Sequence, residues 1–342
     1  MKRKLLALTA ILLALTVTFG GCENIMLIPG KSSGAIADDS SSSQNSEPLS
    51  AYPVTLNSTE ITKAPEKIVS LTPAYTEILF EMGYGKKITA VSDYCDYPEI
   101  VKELPKAASS ANPDIAAIKK LKPDLVITAT PIVTKDKISL EAQGIKVLVI
   151  PSPRNIEEFE NVYKFFGLAM NGQFDGEAAG EKAFSPIKKQ LVAIKRTDKK
   201  FIYVTAANTP AGGDTFESAV LSLFGTNIAE SSSGYSYKAA DLADNQPDII
   251  FVSDTIGEDT LTANENYSDL KAVKDGKITV LKNKYFERPS GRITELIGTA
   301  AKAFGVDPSD KAEKENSSAP ASESENSSNT QNSSKEDSKA TE

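Results

Sequence analysis

The chain has 342 residues, a formal net charge of −8, two cysteines, and neither histidine nor tryptophan. The acidic balance argues against a nucleic-acid partner, because such partners reward basic patches. The missing histidine removes the commonest metal ligand and the usual general base, and with them a serine or cysteine triad of the ordinary kind.

In chain order, Lys2, Arg3 and Lys4 come first. An apolar run follows from Leu5 to Phe19, shorter than the ~20 residues of a transmembrane helix. Phe19-Gly20-Gly21-Cys22 resembles a bacterial lipoprotein signal, with Phe19 where Leu is usual. Residues 1–21 are then the signal peptide, and Cys22 is the lipidated first residue of the mature chain. Removing that segment takes three basic and no acidic residues, so the net charge falls from −8 to −11. With Cys22 lipidated, Cys95 has no disulfide partner in the chain. Lys31–Ser50 is rich in Ser, Asp and Gln, and Ile36 and Leu49 are its only large apolar residues. So little apolar surface cannot offset the entropy of ordering, and residues 22–51 read as a lipid-bearing flexible linker.

From Tyr52 to Val306 short β-branched runs alternate with helical stretches, which predicts α/β architecture with parallel sheets. The expected strands are Lys67–Leu71, Ile88–Ser92, Leu125–Ala129, Lys146–Ile150, Phe201–Thr205, Ile249–Ser253 and Ile278–Leu281. The pattern occurs twice. Lys67–Gly83 is echoed by Phe201–Gly225, Leu121–Ala129 by Asn245–Ser253, and Gly144–Pro151 by Asp275–Lys282. Three matched pairs in one order predict two Rossmann-like lobes of one design. Residues 52–170 form the first, 171–199 a connecting helix, and 200–306 the second. Pro186 either kinks that helix or, with Ser185 as cap, shortens it. Thr72-Pro73 and Asn112-Pro113 each place a capping side chain before a first-turn proline. Residues 307–342 contain no Val, Ile, Leu, Met, Cys or aromatic residue and read as a disordered acidic tail.

Ligands of open α/β sheets bind at the carboxyl ends of the strands. In the first lobe that edge carries Thr72, Pro73, 92–97 and 128–131; in the second it carries 206–215 and 253–257. If the two edges face each other, a cleft lies between the lobes.

Lys67–Glu99 (KIVSLTPAYTEILFEMGYGKKITAVSDYCDYPE), Asn112–Ala129 and Lys284–Ile293 (KYFERPSGRI) resemble the helical-backbone substrate-binding proteins of ABC importers for cobalamin, siderophores and haem. The cobalamin-binding members are the most similar. The SDYCDYP run is the most specific piece, and the second lobe matches weakly outside its ends. The resemblance implies two lobes joined by one long helix, a ligand between them, and docking on a permease and its ATPase through one glutamate per lobe. Glu287 stands at the second-lobe position. At the first-lobe position stands Ala116, with Asp114 two residues before it, so either Asp114 substitutes or docking is asymmetric. Tyr94 matches a cleft aromatic of the first lobe, and Tyr285 one of the second that is usually tryptophan. Flat rings suit a large planar ligand. The expected ligand is a corrinoid, with a ferric siderophore or haem as the alternative; no resident cofactor is implied. A monomeric, extracytoplasmic protein held to the membrane by lipid is expected.

Blander readings stand beside these. Tyr75 opens a helix and points either into the cleft or into the core. Tyr235 and Tyr237 lie in a Gly/Ser-rich stretch as further candidate ligand contacts, and Tyr97 either lines the cleft or packs beside Pro98. Anionic siderophores would favour a cleft arginine; Arg154, Arg288 and Arg292 are the candidates, with a Glu287–Arg288 pair as the structural reading. Cys95 reads as an inert thiol, and Asp93 and Asp96 as solvated carboxylates. No GxGxxG after a strand, Walker motif or GxSxG is present, so no enzyme is read here, although Gly212–Ser218 could hold an anion at a helix N-terminus. A lipoprotein that senses a ligand without transporting it is the remaining alternative of a different class.

Overall fold

The computed structural model describes residues 50–205 and 208–306. The expectations for the signal peptide, Cys22, the linker before residue 50 and the tail fall outside them. The first strands, β1 (Val54–Leu56) and β2 (Thr59–Ile61), form a hairpin that the strand pattern had not disclosed. Its two-residue turn, Asn57-Ser58, has both φ angles positive, the geometry that matches the strand twist.

The first lobe continues with β3 (Ile68–Ser70), α1 (Pro73–Glu81), β4 (Ile88–Val91), α2 (Ile115–Leu121), β5 (Leu125–Thr128), α3 (Thr134–Glu141) and β6 (Lys146–Val149). Its sheet is parallel, in the order β4-β3-β5-β6. After α4 (Ile156–Ala193) the second lobe runs β7 (Lys200–Val204), α5 (Phe216–Leu221), β8 (Thr226–Asn227), β9 (Ile249–Ser253), α6 (Gly257–Thr262), α7 (Lys271–Lys274), β10 (Ile278–Leu281), α8 (Lys284–Glu287) and α9 (Ile293–Phe304). Its parallel sheet has the order β8-β7-β9-β10. The two orders are identical, so the internal repeat holds at the level of topology. Its least visible member is β8, the counterpart of β4 in the second lobe, which has only two residues and no apolar run.

Each strand alternates between two cores, as its period of two requires. Ile68, Leu125, Ile127 and Leu148 point to one side, Val69, Val126 and Val147 to the other. In the second sheet Phe201, Tyr203, Ile249 and Phe251 point inward, Ile202, Val204, Ile250 and Val252 outward. The inward faces of both sheets join one continuous core with α1, α4, α5 and α9. A large apolar interface of this kind limits the relative motion of lobes.

The helical region between the lobes is made of two arms. A straight helix of 38 residues would run about 57 Å. Instead α4 breaks at Gly172 (φ 76°, ψ −172°) and doubles back as a hairpin. Lys164 of the first arm pairs with Glu181 (2.8 Å) and Glu177 (3.3 Å) of the second, and Lys188 with Glu160 (3.0 Å). Glycines let the arms touch. A Cβ on Gly167 would stand 1.9 Å from the Gly176 carbonyl oxygen, and one on Gly180 2.5 Å from Lys164 Cα. Pro186 neither breaks nor shortens the second arm, which stays helical through it. The capping expectations are also refined. Thr72 does precede α1, but its hydroxyl accepts from the Ala129 N–H (2.8 Å), joining the β3 and β5 ends. The cap of α2 is Asp114 rather than Asn112.

Gly167→Ala is therefore expected to destabilise the fold by about 1–3 kcal/mol through forced separation of the arms. Gly298→Ala, in the interior of α9 with open space where the Cβ would lie, should stabilise it by about 0.5–1 kcal/mol. Urea unfolding of both variants checks the pair; equal effects would rule out close arm packing as the reason for Gly167.

Candidate functional site

The carboxyl edges of the two sheets do face each other, and the contacts between them are specific. At their base lies Glu77 of α1, only 1% exposed. Its carboxylate accepts from Ser290 Oγ (2.6 Å) and from Nε of Arg292 (2.9 Å), and Arg292 Nη2 completes a bidentate pair. Arg292 stands just before α9, so the pair joins the lobes. Its guanidinium lies 4.3 Å from the ring centre of Tyr97 and 5.3 Å from that of Tyr285. One turn along α1, Glu81 accepts from the Gly291 N–H (2.9 Å) and the Tyr163 hydroxyl (2.7 Å). Glu81 is still reached by water, but desolvation of its carboxyl at the seam raises its pKa, and those two hydrogen bonds pull it back only in part. Phe159 of α4 meets Phe216 of α5 edge-on at 5.6 Å. Nearer the rim, Arg288 Nη1 donates to Asp96 Oδ1 across the lobes at 2.6 Å.

Arg288 thus pairs with the opposite lobe rather than with Glu287, and Asp96 is not simply solvated. Arg292 is held by Glu77, and Arg154 is exposed and held to Glu158 (3.5 Å). Cys95 is buried, with its sulfur 3.2 Å from Ser92 Oγ and 3.3 Å from Thr76 Oγ1. Its environment is that of a packed thiol. No cluster of three or more His, Cys, Asp or Glu suited to a metal ion occurs among the described residues.

The five candidate tyrosines separate. Tyr94, after β4, is 65% exposed, and Tyr235 is 49% exposed, so both are presented to solvent on cleft loops. Tyr237 is half-buried against the outer core of the second lobe. Tyr75 is a correction: it is 1% exposed, its hydroxyl donates to the Ile150 carbonyl (2.5 Å), and its ring meets Phe166 edge-on. The helix phase of α1 turns it to the core. Tyr285 is the second correction. It is carried by α8 and buried, donates to Glu295 of α9 (2.6 Å) and has Lys284 over its ring. Tyr97, exposed in part, spends its face on Arg292.

Of the two carboxylates expected to dock, Glu287 is exposed at the second-lobe rim and accepts from Asn283 Nδ2 (2.7 Å). Asp114 caps α2 by accepting from the Ala117 N–H (2.9 Å), and Ala116 beside it is exposed. Sequence reasoning missed Glu77 and Glu81. Glu77, set among the apolar positions of α1, was the available signal, since a buried charge requires a partner. A hollow of about 600 Å³ lies at the amino edge of the second sheet, beside Lys199, Asp248 and Lys277, away from all these groups. A seam groove of about 410 Å³ runs along Tyr97, Pro186 and Arg292.

The family profile described as "Periplasmic binding protein" matches residues 68–285. The chain is 26% identical over 327 residues to the "Uncharacterized ABC transporter substrate-binding lipoprotein YvrC" of Bacillus subtilis, covering 89% of this chain and 98% of that one. It is 26% identical over 274 residues to the "Vitamin B12-binding protein" of Vibrio campbellii, covering 74% and 95%. A crystal structure of a possible iron-binding (periplasmic solute-binding) protein from Staphylococcus epidermidis superposes with a TM-score of 0.60 at 23% identity, over 70% of this chain and 99% of that one. At that identity the likeness concerns the fold.

Removing one partner of a buried ion pair leaves an uncompensated charge, so Arg292→Met is expected to cost about 3–5 kcal/mol. Glu77→Met combined with Arg292→Met should recover much of that loss. Denaturant unfolding of the full double-mutant cycle measures it, and strictly additive effects would refute the clamp. Because desolvation raises its pKa, Glu81 binds its proton more tightly in the folded than in the unfolded chain. Stability should therefore fall as pH rises from the ordinary value of 4.5 through the raised one. Glu81→Gln should flatten that decline in unfolding measured between about pH 4 and 7; an unchanged slope would exclude Glu81 as its source.

Proposed function

The chain belongs to the periplasmic binding protein family, and from that premise we propose that it is the solute-binding component of an ABC importer, lipid-anchored at Cys22 outside the cytoplasm. The observation that carries this reading is the pair of facing carboxyl edges. They belong to lobes that share one core, and their lips present Tyr94 and Tyr235 to solvent. Residues that a soluble fold gains nothing from exposing are what a ligand with flat apolar surface would cover. The role is one of capture and delivery, with no chemical step. The relatives named for substrate binding, which the chain matches along nearly their whole length, support the same assignment.

The proposed ligand is a corrinoid, supported by the vitamin B12-binding relative. A ferric siderophore or haem is the alternative, supported by the iron-binding structural neighbour. Contacts are assigned to Tyr94 and Tyr235, with Tyr237 behind the latter. Delivery to a permease and its ATPase is assigned to the rim carboxylates Glu287 and Asp114, whose charges would steer association and register.

A thermal-shift titration with cyanocobalamin, cobinamide, ferric siderophores and haem tests the reading. Ligand at 100 times its Kd should add about 2.7 kcal/mol to stability. Tyr94→Ala should weaken binding at least about tenfold, the range of an aromatic hot spot, without lowering the melting temperature of the free protein. Tyr285→Phe should do the reverse, costing about 1 kcal/mol of stability and leaving affinity alone. Equal affinity in the wild type and Tyr94→Ala would remove Tyr94 from the site.

A further inference from the structure

Resting on the reading of the cleft as the ligand site, we propose that the Asp96–Arg288 bridge is a side-chain latch across its mouth, so that a ligand enters at a rate set by how often the bridge stands open.

The bridge lies where the two lips approach. Asp96 comes two residues after the exposed Tyr94 of the first lobe. Arg288 follows Glu287, whose charge reaches the phenol of the exposed Tyr235 in the second. Asp96 Oδ1 and Arg288 Nη1 are 2.6 Å apart, and the two side chains are 57% and 20% exposed. The bond is thus open to solvent on one side, unlike the sealed Glu77–Arg292 pair at the base.

The backbone beneath both partners is fixed. Before Asp96, Cys95 is buried, its N–H donates to the Ser92 carbonyl (3.1 Å), and its carbonyl accepts from Lys106 Nζ (3.2 Å). After it, Tyr97 lays its ring against the Arg292 guanidinium. The Arg288 N–H donates to the Lys284 carbonyl (3.0 Å), and two residues further on Ser290 is buried and bonded to Glu77. With the base held by the buried pair and the shared core, the bridge opens by rotation of its own two side chains while the lobes keep their places. Release does not strand the aspartate, because its charge also acts on Arg292 and Lys102. A part-exposed ion pair is a weak bond that salt weakens further. Weakness suits a latch: the bridge is closed most of the time yet opens often, and the open fraction multiplies the rate of entry.

The test is stopped-flow association of cyanocobalamin, a probe of no net charge, with the full chain. Wild type is compared with Asp96→Asn, with Arg288→Met, which keeps an apolar stem in place of the arginine's, and with the double variant. Each single change should raise the association rate constant about three- to tenfold, and the double variant should gain no more than the better single one. Salt raised from about 10 mM to about 0.5 M should speed wild type toward the variants and leave the variants unchanged, since a probe of no net charge is not steered. A second readout needs no ligand: nitrogen-15 relaxation should show an ordered Arg288 guanidinium in wild type and a mobile one in Asp96→Asn. Rates that ignore both salt and substitution, gains that multiply in the double variant, or a guanidinium already mobile in wild type overturn the latch and leave the transport reading standing. Absence of cyanocobalamin binding at every salt concentration overturns the corrinoid reading instead, and the guanidinium order then decides the latch by itself.

Discussion

The two lobes depend on one buried ion pair. Glu77 is sealed from water, and a lone carboxylate there would be prohibitively costly. It is tolerated because Arg292, Ser290 and, next to them, Gly291 are delivered from the other lobe. Such a pair does not so much add stability as make any other arrangement of the lobes expensive. Opening the base of the cleft would strand both charges. Together with the continuous apolar core, this confines motion to the rim, where Asp96 and Arg288 bridge the lobes in a more exposed setting.

The α4 hairpin serves the same end. A single rod would have only its surface to hold the lobes. Folded at Gly172, it presents two arms, with Phe159, Tyr163 and Phe184 interlocked edge-on between them. The small residues at 167, 176 and 180 set the arm spacing, and the aromatic residues fill the remaining space. The second arm runs unbroken through Pro186, whose missing N–H matters little where the chain packs on a ready-made partner. The scaffold beneath the cleft is consequently stiff, and the cleft chemistry is carried by short loops at its edges.

Those loops divide their aromatic residues by environment. Tyr97 and Tyr285 flank the Arg292 guanidinium and belong to the clamp. Tyr94 and Tyr235 have no such duty and stand exposed. The first-lobe lip is therefore an open ring beside a neutralised carboxylate, Asp96, and the second-lobe lip is a ring among carboxylates.

By itself the sequence determined the α/β class, the parallel strands, the duplicated design and the helix on either side of Gly172, because these follow from local periodicity and local turn chemistry. The strand order of the sheets was not legible there, and β8, like the β1–β2 hairpin, was too short to carry a signal. The sequence could not decide the direction of Tyr75 or Tyr285, because one residue of helical phase separates core from cleft and both rings suit either. Nor could it pair Arg288 with Asp96 rather than with its neighbour Glu287, or bring Arg292 to Glu77. Those partners are about two hundred residues apart in sequence. Only the docking of the two lobes puts them within reach, and burial there makes a bare charge intolerable, so tertiary structure alone settled which residues hold the lobes together and which stand exposed on the loops above them.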